Sequence, residues 1–345
     1  MALNTEKVEK IGYNHTMKPL DASVIKFNKI YAEGVMDLYS KDYFTERYII
    51  RYLKEDIPKG VSYRYQRKIK ENIQDLNNDY RSKSTVSFMF KHCAKLMIDR
   101  GVYQRIMTND PMLLVRGLYT YGRMEYLHNI VKPFEDSHSD CAHANDVIDS
   151  LAANDKEVIQ AYITNIPGPA KVSCFGKILA NCLYTAIKDD INNYSPTFEA
   201  IKKYIKSSDA SKYDTALLEA VQAIILRDKS AFSQALEKIF HYHNYVWRER
   251  NELLNGHGIN FQAHGLFNLA RAKFEQAGLG PPDEPDNPHW DSGYYHALLK
   301  IGDKPRSFVV DIAAISPVME KWLTTLPGKL DIEELFKDFP PSSLK

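Results

Sequence analysis

The 345-residue chain is 44% apolar and 26% charged, an ordinary composition for a globular protein with enough chain for a sizeable core. Its net charge of +1 supplies no general attraction to nucleic acid or to a membrane surface. Four cysteines without a CxxC pair, the polar start "MALNTEKVEKIGYNH" and the lack of any run of roughly 18 apolar residues argue against a disulfide scaffold, a secretory signal and a spanning helix. They predict a cytoplasmic protein.

Charge is unevenly spread. Residues 1–130 hold 22 Lys and Arg against 15 Asp and Glu, and the remainder holds 23 against 29. Apolar residues recur with the helical period in runs at about 22–39, 42–55, 61–80, 84–99, 110–129, 155–164, 173–189, 197–206 and 212–227. Two further stripes follow. One runs through Phe232, Ala235, Leu236, Ile239, Phe240, His243, Val246 and Trp247, behind Asp228 as N-cap. The next runs through Ile259, Ala263, Leu266, Phe267, Ala270 and Phe274 and is stopped at Gly278. The two are expected to pack as adjacent antiparallel helices. "SFVVDIAAI" (307–315) is the one ambiguous apolar run, and no β-alternation insists on a strand. The fold class is all-α, a multi-helical array of antiparallel hairpins.

Asp155, Asp228 and Asp303 each sit in an Asp-Lys turn between apolar runs, 73 and 75 positions apart. Each is expected to cap the second helix of a hairpin, with Pro305 early in the last one, as in tetratricopeptide-like solenoids. "VKPFEDSHSDCAHAND" (131–146) marks a boundary between an N-terminal helical region, 1–135, and a C-terminal hairpin region, 136–345, packed as one body. "GLGPPDEPDNPHWDSG" (278–293), with four prolines, is the strongest loop.

"HYHNYVWRERNELLNGHG" (241–258) invites a metal or catalytic reading. His241 and His243 lie two positions apart and diverge on a helix, and no HExxH spacing occurs. A His243–His257–His264 site requires the following helix to return alongside, and a core role for His243 in its apolar stripe is the simpler reading. No Gly-rich phosphate loop or GxSxG elbow is present. "KHC" (91–93) places thiol and imidazole on adjacent, diverging residues. "SYRYQRKIK" (62–70) mixes aromatics and cations as a single-strand binder does, but reads more simply as a charged helix face, so nucleic acid is not expected. No metal, cofactor or catalytic residue is assigned.

Candidate partner contacts are Asp283, Glu284, Asp286, Trp290, Asp291, Tyr294 and Tyr295 in the proline loop, and Trp247, Arg248 and Arg250 at the helix end, although the simpler readings turn Trp290 and Tyr294 inward to staple the loop to the core and make the Arg cluster a solvated or helix-pairing face. Charge there steers association, and aromatic and Arg side chains anchor it.

"LLEAVQAIILRDKSAFSQALEKIFHYHNYVWRE" with "GINFQAHGLFNLARAKFEQAGL" (217–279) resembles the helical core of the immunity protein 49 family, bacterial proteins encoded beside polymorphic toxins and secreted effectors. The resemblance covers about a fifth of the chain. It implies an all-helical, non-enzymatic cytoplasmic antitoxin that binds one cognate toxin and blocks its active site or substrate surface. A helical-repeat adaptor and a helical metal-dependent enzyme stand as alternatives.

Overall fold

A computed structural model describes residues 71, 75–131, 139–166, 174–190, 193–207, 210–250, 259–287 and 289–338. The predicted runs at 22–39 and 42–55, most of 61–80, and "SYRYQRKIK" lie outside the described residues. Twelve helices make up most of what is described, and no strand occurs among the described residues. They are α1 (Tyr80–Thr108), α2 (Pro111–Val131), α3 (Ser139–Ala152), α4 (Lys156–Asn165), α5 (Phe175–Lys188), α6 (Tyr194–Ile205), α7 (Lys212–Leu226), α8 (Lys229–Arg250), α9 (Phe261–Gln276), α10 (Ser292–Ile301), α11 (Pro317–Thr325) and α12 (Ile332–Asp338). The chain is all-α.

Caps set many of the helix limits. Asp79 accepts from Ser82 N and starts α1 earlier than the apolar pattern does, and left-handed Asn109 ends it. Asp155, Ser211, Asp228, Asn260, Asp291 and Ser316 each accept a backbone N–H from the first turn of their helices. Asp303 does not cap a helix. The helix expected after it is absent, and residues 305–316 run irregularly. Pro305 disfavours helical backbone at the residue before it, while Asp303 itself pairs with Lys156 at 2.8 Å in solvent. The ambiguous run 307–315 lies in this irregular segment. It is anchored by Val309 N on Thr120 Oγ1, by Phe308 stacked on Tyr119, and by buried Val310 and Ile312.

Helix α3 is central. It packs on α2, α4, α5 and α9, burying Ala144, Val147, Ile148 and Leu151. It begins inside the segment read as a domain boundary, and α2 from the N-terminal region packs on both α3 and α10. Helices α1 and α2 form the tightest pair, meeting at Gly101 and Gly117, where a Cβ on either would lie within 2.9 Å of the other's Cα. Helix α8 packs mainly on α7 and α9 mainly on α3, so their mutual contact is secondary. That contact is antiparallel as expected: Phe232 near the start of α8 meets Phe274 near the end of α9, and His243 reaches Asn260 before α9 begins.

Arg123 ties the C-terminal segment to this body. Its guanidinium, buried on α2, grips Asp155 at 2.7 and 3.2 Å and donates to Leu323 O at 2.8 Å. Asp99 on α1 is different: it is buried, and neither of its oxygens has a hydrogen-bond partner among the described residues. Burial outweighs nearby Lys95 and pushes its carboxyl up to about 7, from an ordinary 3.8. A folded value above the unfolded one stabilises fully below pH 4 and loses that contribution as pH rises through about 7. Asp99→Asn is therefore expected to stabilise the protein by about 2–4 kcal/mol at pH 8, with little change at pH 4. Urea titrations at both pH values would check this, and an equal gain at both would exclude a titration origin.

Candidate functional site

The proline-rich strap, described at residues 281–287 and 289–291, crosses the N-terminal end of α9 and leads into α10. Its foundation is aromatic. Trp290 is 1% exposed, stacks on His264 at 3.8 Å between ring centroids, and contacts Phe267 and Tyr295. Tyr294 is fully buried and donates from its hydroxyl to Ala152 O at 2.6 Å. Tyr295 is buried edge-on against Phe267. Asp291 is buried too. Its Oδ1 accepts from Tyr294 N to cap α10, and both its oxygens hold Arg105 of α1, at 2.9 and 3.0 Å. These four residues are buried supports of the strap, because with Asp291 as its N-cap α10 packs on α2 and turns Tyr294 and Tyr295 against α9. Asp283, Glu284 and Asp286 remain exposed. Of the second predicted surface, the side chains of Trp247, Arg248 and Arg250 lie outside the described residues.

Glu284 joins rim to foundation. One of its oxygens accepts from Trp290 Nε1 at 2.9 Å and the other meets His296 Nε2 at 3.1 Å. The acidic edge is held on a fixed base, which lowers the entropy a partner must remove on binding.

Beneath the strap lies a seam of histidines. Asn260 Oδ1 accepts from Ala263 N to cap α9, which fixes the amide so that its Nδ2 faces Tyr213 Oη and His243 Nδ1. An amide nitrogen only donates, so His243 Nδ1 presents its lone pair. His264 Nε2 accepts from the N–H of Asp291 at 3.2 Å. Each imidazole is neutral: burial, reinforced by His289, drives His243 down to about 3, and burial drives His264 down to about 3 against the raising effect of Asp291. The His243 and His289 rings lie 4.9 Å apart, edge to face. His257 lies outside the described residues. The acceptor nitrogens of His243 and His264 are already occupied by N–H donors, and among the described residues no group of three or more His, Cys, Asp or Glu is placed to hold a metal ion.

His92 and Cys93 part company as their spacing requires. His92 lines a cleft of about 350 Å³ with Phe88, Lys91, Lys95, Tyr121 and Glu125, whereas Cys93 is fully buried and burial pushes its thiol up. A neutral buried thiol is a poor nucleophile.

Arg105, His289 and His296 were not singled out from sequence. Nothing local marks Arg105 or His296, whose partners are distant or follow from the strap's path. Asn260 was legible as a cap residue before "FQAHGLFNLA".

No protein-family model, curated protein or solved structure matches this chain.

Proposed function

We propose that this protein is a cytoplasmic immunity protein that binds a cognate bacterial toxin or effector and neutralises it by covering its active site or substrate surface. The resemblance of residues 217–279 to the immunity protein 49 family gives the class. The observation that carries the binding mode is the strap's exposed acidic edge, Asp283, Glu284 and Asp286, set on buried Trp290 through Glu284. Toxins that act on nucleic acids or nucleotides carry basic substrate clefts, and a preorganised acidic edge competes for such a cleft and speeds encounter.

Co-expression with the product of the neighbouring gene tests the class, read as bacterial survival and co-purification. A wild-type chain that gives neither is not its antitoxin. The binding mode is tested separately by replacing Asp283, Glu284 and Asp286 with their amides. Association is expected to slow about tenfold at low ionic strength and to lose most of its salt dependence, with helicity unchanged. A triple variant that associates and protects like wild type at both low and high salt would move the contact surface elsewhere.

A further inference from the structure

The two buried imidazoles that face the strap both act as acceptors, and this has a consequence for acid. Protonating His264 puts a proton on Nε2, which then cannot accept the Asp291 N–H. Protonating His243 puts a proton on Nδ1, opposite the amide N–H of Asn260. Asn260 cannot turn away without losing the α9 cap, and its own backbone N–H holds the strap by donating to His289 O at 2.9 Å. A charged His243 also lies against the His289 ring. Both protonations therefore act on the same short junction, residues 289–291 against the start of α9.

We propose that His243 and His264 form an acid-sensitive latch, whose protonation releases the strap from the α8–α9 junction while the helical body stays folded. It rests on the fold alone and holds whether or not the strap meets a partner.

The surrounding groups set the balance. Facing His243 are Tyr213 from α7, Asn260 ahead of α9 and His289 from the strap, and none of the three carries a negative charge. Facing His264 are Trp290, Tyr294 of α10 and Asp291. Among the described residues Asp291 is the anion that favours a charged His264, and it is committed to Arg105 through both oxygens. Glu284 also meets His296 across the strap's outer side, but His296 is 62% exposed and solvent screens the pair. Both latch histidines have folded values lowered to about 3. The latch is therefore fully closed above the ordinary histidine value near 6.5 and weakens as pH falls toward 3. Each proton taken up on opening multiplies the opening constant by about ten per pH unit in that window.

Amide hydrogen exchange on the full chain reads this directly. After correction for intrinsic rates, protection of the Asn260 and Asp291 amides is expected to fall about 100-fold per pH unit between pH 6 and 4, with Trp290 emission shifting to the red. Amides in the middle of α7 should keep their protection over the same range. His264→Gln, whose side-chain carbonyl accepts at any pH, should reduce the slope to about tenfold per pH unit, and His243→Gln should do the same. PH-independent protection at Asn260 and Asp291 would overturn the latch. So would an identical slope at α7, which would mean that acid unfolds the whole body. If neither variant folds, the wild-type comparison of the junction with α7 still decides.

Discussion

Replacing Gly265 with alanine is expected to destabilise the protein by about 3 kcal/mol or more, at the upper end of what an overpacked core costs. Gly265 lies on α9 where it crosses α3, and a Cβ there would sit 2.2 Å from the carbonyl oxygen of Ile148 and 2.8 Å from its Cγ2. Neither contact is with the end of a flexible side chain. The backbone of α3 must move, and α3 also packs on α2, α4 and α5, so displacement spreads into the main core. Urea denaturation of the variant gives the loss directly. A change under 1 kcal/mol would mean that the two helices separate cheaply and that α3 is not the rigid centre of the fold.

Trp290→Ala is expected to cost about 3–5 kcal/mol, the range for deleting a large buried aromatic. The indole fills the space between His264, Phe267 and Tyr295, and its Nε1–H is the donor that fixes Glu284. The sequence pattern leaves both roles open, an inward staple or a contact anchor whose loss speeds dissociation from a partner. The two roles separate cleanly. A support residue lowers the denaturation midpoint of the isolated protein, whereas an exposed anchor leaves it unchanged. Near-ultraviolet circular dichroism, dominated by stacked buried rings, should weaken in the same variant. A stability within about 0.5 kcal/mol of wild type, the range of surface substitutions, would return Trp290 to the surface.

What the sequence determined by itself is local. The 3.6-residue spacing of Phe232, Ala235, Leu236 and Ile239 specifies a helix whichever neighbour covers it, because the period follows from backbone geometry. Asp155 and Asp228 were legible as caps because an N-cap contact spans only three residues. The tertiary structure alone decided which face meets which neighbour. Asp303 carries the same Asp-Lys signature, yet it pairs with Lys156, 147 positions away, and Pro305 two residues on prevents the helix. The strap's Trp290, Tyr294 and Tyr295 have the composition of a contact surface, and composition does not say which way a ring points. That direction comes from Asp291, whose cap starts α10 and whose grip on Arg105, 186 positions earlier in the chain, fixes the helix against α1. Likewise His243 is a stripe residue in any helix, but its tautomer follows from Asn260, which is turned toward it only because it also caps α9. Such contacts join residues far apart in the chain and depend on the packing of whole helices, so no window of sequence contains them.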